Sequence, residues 1–227
     1  MNKVENLLAK LEINYKDISL YKTALTHSSY GNEHNTTNNE RLEFLGDAVL
    51  ELLMSQYLFD TTSETEGKMT IRRAQAVREE ALVIYSEKID LKQYMLLGKG
   101  EESKGANNAM IADTLEALFA ATYLDLGLDA VKQLFKKIII PYLEESFNII
   151  DYKSVLQEVI HSGSKRNISY KIVKETGPSH KKSFEAVVLL DNTIVLGNGF
   201  GKTKKEAEQM AAEEALKKGN YDFKKNL

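Results

Sequence analysis

The 227-residue chain is 43% hydrophobic and 28% charged, with a formal net charge of −3, which suits a soluble globular protein of one or two domains. It has no cysteine, which excludes disulfides, thiolate zinc sites and a cysteine nucleophile. Its four histidines (His27, His34, His161, His180) are too scattered for a zinc cluster, so a bound metal is expected to have oxygen ligands. No apolar run reaches the roughly 18 residues that span a membrane. The charged, amphipathic start MNKVENLLAK is unlike a signal peptide, and a cytoplasmic location is expected.

In chain order, helical periodicity predicts helices over 2–11, 18–27, 38–60, 67–87, 108–126 and 128–147. Polar connections rich in Gly, Asn, Ser and Thr lie at 30–38, 61–67 and 98–108. Pro141 should bend or restart the last helix. No strand-like alternation is found in this half, which reads as all-α. Beyond it, residues 152–162 suggest a short helix. ISYKIVKE, KSFEAVVLL and TIVLGNGFG then alternate as strands, with turn signals at GPSH and DN. TKKEAEQMAAEEALKKG reads as a helix opened by a Thr203/Glu206 capping box and stopped by Gly219. The order α-β-β-β-α predicts a three-stranded sheet with two helices on one face. The expected division is a helical domain over 1–147, a linker over 148–152 and a small α+β domain over 153–227. Charge divides in the same place, with a net −7 over residues 1–150 and +4 over 151–227, so the second domain is the candidate for touching a polyanion.

The stretch NNERLEFLGDAVLELL, 38–53, places Glu40, Glu43, Asp47 and Glu51 within an arc of roughly 80° on a helical wheel. Leu42, Leu45, Val49, Leu52 and Leu53 gather opposite. Glu43, Asp47 and Glu51 follow at four-residue spacing with no base among them, which is mutually repulsive. The nearly apolar MIADTLEALFAATYL, 110–124, carries Asp113 and Glu116 on one helical face. No Lys or Arg is near in sequence to neutralise either. Spacing alone leaves two readings open. One is a solvated acidic face. In the other, Glu43, Asp47, Asp113 and Glu116 converge on a divalent cation, where four hard oxygen ligands completed by waters suit Mg²⁺. Glu51 reads as a surface residue. A carboxylate-held Mg²⁺ beside a basic domain suits phosphoryl chemistry on nucleic acid.

In the basic domain, Lys204 and Lys205 open the last helix, His180, Lys181 and Lys182 lie in a turn, and Gln157 lies on the first helix, able to reach sugar hydroxyls. Aromatic pairs for stacking single strands are missing. Tyr170 and Phe184 fall on strands and read as core.

These residues match a known family. NNERLEFLGDAVL resembles the signature of bacterial ribonuclease III, and ALTHSSY (24–30), EGKMT (66–70), LGKGE (97–101) and ADTLEALFAATYLD (112–125) extend the likeness. Residues 151–219 look like that family's double-stranded-RNA-binding domain, through DYKSVLQE, ETGPSH and GKTKKEAEQMAAEEAL. The resemblance implies an all-α catalytic domain acting as a homodimer, a Mg²⁺-dependent endoribonuclease with Mn²⁺ as substitute, and double-stranded RNA as substrate. Cleavage would leave 5′-phosphate and 3′-hydroxyl ends, in ribosomal-precursor and messenger-RNA processing. It implies Glu43, Asp47, Asp113 and Glu116 as metal ligands, with Asp47 and Glu116 catalytic, and Glu40 and Glu66 as further acids of the valley. Phe44 and Leu45 become dimer or core residues. Gln157, Glu158 and His180 match minor-groove contacts, and Thr203, Lys204 and Lys205 a phosphate clamp that reads A-form shape. His27 belongs to a family motif and reads as packing or hydrogen bonding. The chain departs from the family at GANNAM (105–110), where a basic residue and a serine are common, at Ala76, which is smaller than usual, and at Ile168, where proline is common. The rival reading is a dimeric RNA-binding adaptor without catalysis, which would be expected to lack one of the four carboxylates.

Overall fold

The nearly apolar segment around Asp113 and Glu116 becomes the axis of the first unit in a computed structural model of the chain, which describes residues 3–163, 166–178 and 182–219. The chain divides between Ile149 and Ile150 into two units, each with its own core.

The first unit is helical: α1 (Lys3–Leu11), α2 (Ile18–Ala24), α3 (Ser28–His34), α4 (Glu40–Thr61), α5 (Glu66–Val77), α6 (Glu79–Lys88), α7 (Lys99–Glu102), α8 (Asn108–Leu126), α9 (Leu128–Ile138) and α10 (Leu143–Phe147). Helix α8 is buried at Ile111, Ala112, Thr114 and Leu115 and at every residue from Ala117 to Thr122, because α2, α4, α6 and α9 all pack against it. A helix apolar on nearly all sides has to sit in a core. Its ends are fastened by side chains. Asn107 accepts from Met110 N at 2.9 Å, so part of the departing loop 105–110 serves as the N-cap. Near the other end Asp125 accepts from Lys16 N, Asp17 N and the Tyr21 hydroxyl at 2.8, 2.9 and 3.1 Å, pinning the entry to α2.

Several expectations need correction. The helix expected over 67–87 is two helices that break at Arg78, whose ψ of 158° is extended. The Arg78 carbonyl starts α6 by accepting from Ala81 and Leu82, and its guanidinium donates to the Ile149 carbonyl. The helix expected to run to residue 27 ends at Ala24. The chain then forms a parallel bridge between Thr26 and Leu96, in a half expected to have no strand pairing, and a new helix, α3, occupies part of the expected connection at 30–38. Leu96 N donates to Leu25 O at 2.8 Å and His27 N to Leu96 O at 3.1 Å, so these backbone groups serve a partner 70 residues away. Four-residue α7 likewise lies inside an expected loop. Leu52, expected on the buried face of α4, is 56% exposed. Pro141 does restart the chain, in a 3₁₀ turn at Ile140–Tyr142 followed by α10. Ala76 is fully buried, with the Tyr85 hydroxyl donating to its carbonyl at 3.2 Å.

The second unit runs α11 (Tyr152–Gly163), β1 (Ile168–Thr176), β2 (Ser183–Leu190), β3 (Ile194–Gly201) and α12 (Lys204–Lys218). The sheet is antiparallel in the order β1-β2-β3, with Phe184 facing Glu175 and Gly201. Phe184, Ala186, Val188 and Leu190 alternate inward from β2 and meet Leu156 and Ile160 of α11 and Ala207, Ala211, Ala215 and Leu216 of α12. The helix α12 lies almost directly on β3. A Cβ on Gly199 would stand 2.2 Å from Ala207 O and from Ala211 N, and one on Gly197 2.4 Å from Ala211 O. Alternate glycines on the strand and alanines four apart on the helix let two backbones touch. Thr203 caps α12 by accepting from Glu206 N at 3.1 Å. Glu206 accepts from Lys202 N at 2.6 Å, one residue before the donor expected of a capping box.

Gly199→Ala should therefore force β3 and α12 apart and lower the stability of the second unit by about 1–3 kcal/mol, a typical overpacking effect. Amide exchange along β3 in the full chain would register it as lost protection.

Candidate metal centre and nucleic-acid interface

Helices α4 and α8 carry the four expected carboxylates. The two backbones meet at Gly46, where a Cβ would stand 1.9 Å from Glu116 O and 2.4 Å from its carbonyl carbon. Glu43 and Asp47 flank Gly46 on α4, three residues before and one after. Asp113 lies one turn before Glu116 on α8. Contact at Gly46 thus brings the two acidic rows together, and carboxylate oxygens of Glu43, Asp113 and Glu116 all lie within 4.8 Å of one another. Asp47 is exposed and outside that tight group, yet its charge is felt by both Glu43 and Glu116.

Burial and like charge dominate the electrostatics of these acids. The Glu116 carboxyl is pushed up to about 8, first by burial and then by the charges of Asp47, Asp113 and Glu43. Burial also raises Asp113, helped by Glu79 and opposed by His27. Glu43 is raised by burial and then by Asp113, Glu40 and Asp47. Glu40 is thus close enough to act on Glu43, although it is exposed and pairs with Asn38 Nδ2 at 3.3 Å. Glu66 is not brought to the cluster within one chain. It starts α5, accepts from Thr70 Oγ1 at 3.2 Å and lines a separate hollow of about 600 Å³ with Leu52, Phe59, Met69 and Arg73. Glu51 is exposed, as expected.

Two residues here escaped the sequence reading. Gly46 had a legible signal, since a glycine inside a long helix destabilises it by about 1 kcal/mol and needs a packing reason. Glu79 had none, because only the break at Arg78 carries it to Asp113.

The backbone around the site is fixed from outside α4. Asn39 N donates to Thr26 O at 2.9 Å, and Glu43 N to Asn39 O at 2.8 Å, so the bridge at Thr26 holds the helix start. His27 caps α3, its Nδ1 accepting from Ser29 N at 3.2 Å.

In the second unit, Gln157 and Glu158 are exposed on α11, and Thr203, Lys204 and Lys205 are exposed where α12 begins. Thr203 uses its hydroxyl oxygen as the cap, and the Lys204 ammonium lies 5.9 Å from the Phe184 ring centre. Phe184 is core, whereas Tyr170 is half-buried beside Lys153, at 4.5 Å from its ring centre. His180 and Lys181 lie outside the described residues. Lys182 pairs with Glu175.

Two outcomes test this geometry. Gly46→Ala should push α4 off α8 and lower stability by about 1–3 kcal/mol, measured by thermal melting. The second concerns pH. The raised Glu116 keeps its proton in the folded chain where the unfolded chain has lost it. Stability from this group is therefore present near pH 4.5 and falls as pH rises toward about 8. Glu116→Gln should flatten that part of the metal-free melting profile between those limits.

Comparison with known proteins agrees with this arrangement. Residues 17–143 match the Ribonuclease-III-like family and residues 152–218 the double-stranded RNA binding motif. The chain is 52% identical over 221 residues to Ribonuclease 3 of Onion yellows phytoplasma (strain OY-M), covering 96% of this chain and 92% of that one. It is 46% identical over 217 residues to Ribonuclease 3 of Staphylococcus haemolyticus (strain JCSC1435), covering 92% and 88%. Among solved structures, the ribonuclease III nuclease domain from Campylobacter jejuni superimposes with a TM-score of 0.56 at 33% identity, covering 66% of this chain and all of that domain. A second structure of that domain, described for flexibility in a region involved in dimer formation, gives 0.57 at 34%, covering 64% and 99%. With a nuclease unit and an RNA-binding unit joined in that order, the chain belongs to the ribonuclease III family of endoribonucleases.

Proposed function

We propose that the chain hydrolyses phosphodiester bonds of double-stranded RNA with Mg²⁺, for which Mn²⁺ can substitute, leaving 5′-phosphate and 3′-hydroxyl ends. The observation that carries this reading is the cluster of Glu43, Asp113 and Glu116 oxygens within 4.8 Å of one another. Such a donor set fits a hard divalent cation, which relieves the repulsion that raises all three carboxyls. Glu43, Asp113 and Glu116 would hold the ion, with Asp47 completing the set from the exposed edge. When bound, Mg²⁺ supplies charge neutralisation and Lewis acidity at the scissile phosphate. Asp47 would accept the proton of the attacking water, which would add to phosphorus in line with the 3′ oxygen that departs as the hydroxyl. Glu116, whose carboxyl burial and its acidic neighbours raise to about 8, would give up its proton to the ion. Glu40 and Glu66 would act at the margins of the valley, on cations or substrate.

We read the working form as a homodimer. The first unit exposes Phe44 at 84%, Phe59 at 75%, Ile71 at 60% and Leu52 at 56%, large apolar side chains that a monomer has reason to cover. Leu45 is half-buried against the core and is assigned to packing. In the second unit, Gln157 and Glu158 would contact a minor groove, His180 a second one, and Thr203, Lys204 and Lys205 the phosphates between. That mode reads A-form shape, which ribosomal precursors and structured messenger RNA in the cytoplasm both offer.

The test uses a labelled RNA duplex at one fixed salt concentration, since phosphate-driven binding falls steeply with salt. The full chain should cut the duplex with Mg²⁺ and only bind it with Ca²⁺. Glu116→Gln should abolish cutting while sparing the Ca²⁺-supported mobility shift. Equal loss of binding, or a shift without cutting by the unaltered chain, would count against the assignment.

A further inference from the structure

The two helices that would grip the duplex are joined by directional bonds as well as by apolar packing. Leu156 and Ile160 of α11 share a core with Ala207, Ala211, Ala212 and Ala215 of α12. Such burial is non-directional, and small side chains leave one helix free to slide on the other. Hydrogen bonds set the register instead. Asp151 stands just before α11 and caps it, accepting from Ser154 N at 3.2 Å and from the Ser154 hydroxyl at 2.8 Å. The Gln209 side chain of α12 reaches the same turn with both ends of its amide. Its Oε1 accepts from Lys153 N at 3.2 Å, a first-turn amide with no acceptor in its own helix, and its Nε2 donates to Asp151 Oδ1 at 2.8 Å. This amide orientation alone satisfies both partners, since the backbone N–H donates and the carboxylate accepts. Beside it, the Lys153 ammonium pairs with Glu208 at 2.6 Å and lies 4.5 Å from the centre of the Tyr170 ring on β1. Gln209, Lys153 and Glu208 are all half-buried.

Both helices in this contact carry residues assigned above to RNA. Gln157 and Glu158 lie about one turn beyond Lys153 on α11, and Thr203, Lys204 and Lys205 lie one to two turns before Gln209 at the start of α12. A minor-groove contact and a phosphate contact across the neighbouring major groove engage one duplex together only at a suitable spacing of the two helices. We infer that Gln209 is a positioning residue for RNA binding, whose amide bridge to Lys153 and Asp151 fixes that spacing while both ends of the amide stay engaged within the protein. The inference rests on the proposed contacts of α11 and α12 with the duplex. Without the bridge, α11 shifts over the alanine face of α12, and the two grips no longer form at the same time.

Two substitutions break the bridge from opposite sides. Gln209→Met keeps the side chain's length and helix preference and removes both hydrogen bonds. Asp151→Ser keeps a capping oxygen for α11 but withdraws the acceptor from Gln209, and it removes a negative charge, which by itself would favour RNA. Each full chain is melted, and its affinity for an RNA duplex is measured with Ca²⁺ over a range of salt concentrations, well below its melting temperature. Gln209→Met should bind ~10–100-fold more weakly than the unaltered chain while still folded, as expected when two linked contacts cannot engage together. Its log affinity should also fall less steeply with log salt, because fewer phosphates are neutralised at once. Asp151→Ser should change in the same direction despite its lost negative charge, and it carries the test if Gln209→Met does not fold. A purely structural bridge would lower the melting temperature and leave the folded chain's affinity and salt slope unchanged, and that result overturns the inference. Weaker binding with an unaltered slope overturns it too, since it marks the loss of a neutral contact with the RNA itself. If the unaltered chain does not bind the duplex, the proposed RNA contacts fall as well, so the two failures are distinguishable.

Discussion

The backbone of α4 rests on the backbone of α8 at Gly46, with no side chain between them, and the nuclease unit is arranged around that contact. Helical geometry then sets the positions of the acids. Glu43 lies one turn before Gly46, Asp47 follows it about 100° further round the helix toward solvent, and Asp113 lies one turn from Glu116. Once Gly46 meets the Glu116 carbonyl, the acids have no freedom to stay apart. The bridge from Thr26 to Leu96 supports the contact from the other end, because Thr26 O holds the amide of Asn39 where α4 begins.

That closeness works against stability. A row of like charges on one helix is mildly unfavourable, and a second row brought against it in a half-buried site is more so, which is why burial and then the neighbouring acids raise Glu43 and Glu116, while burial and Glu79 raise Asp113. The apolar faces of α8 supply the opposing force. Residues Ala117 to Thr122 are buried without interruption, and four helices gather on them. The acids are thus held at the end of a helix anchored by its apolar remainder, and a cation that binds them relieves the repulsion the fold imposes. The second unit reaches close packing with different residues but the same physical device, glycines on β3 meeting the α12 backbone at Ala207 and Ala211.

Where the sequence was easy to read, local and tertiary preferences agreed. The alternation in SFEAVVLL became β2, with Phe184, Ala186, Val188 and Leu190 inward, and Thr203 and Gly219 bound α12 as their types suggest. Pro141 marked a real restart. Reading failed where a distant partner overrode the local pattern. Thr26 pairs with Leu96, so α2 stops short and α3 begins anew. Arg78 turns to the Ile149 carbonyl, and a continuous helical periodicity splits there. Leu52 belongs to the apolar side of the wheel yet faces outward, since a wheel does not report what packs against each position, and Phe44, on the acidic side, is 84% exposed.

By itself the sequence determined the class of each unit and singled out four acids as candidates, because period, capping and residue chemistry are local properties. Only the tertiary structure decided which acids share one small volume, that Asp47 stands at its edge, that Glu79 and His27 act on Asp113, and that Glu66 lies elsewhere in a single chain. Those facts depend on how closely two helices approach and where a third one breaks. Both go with contacts to partners roughly 70 residues away in the chain, the Gly46 backbone on that of Glu116 and the Arg78 guanidinium on the Ile149 carbonyl.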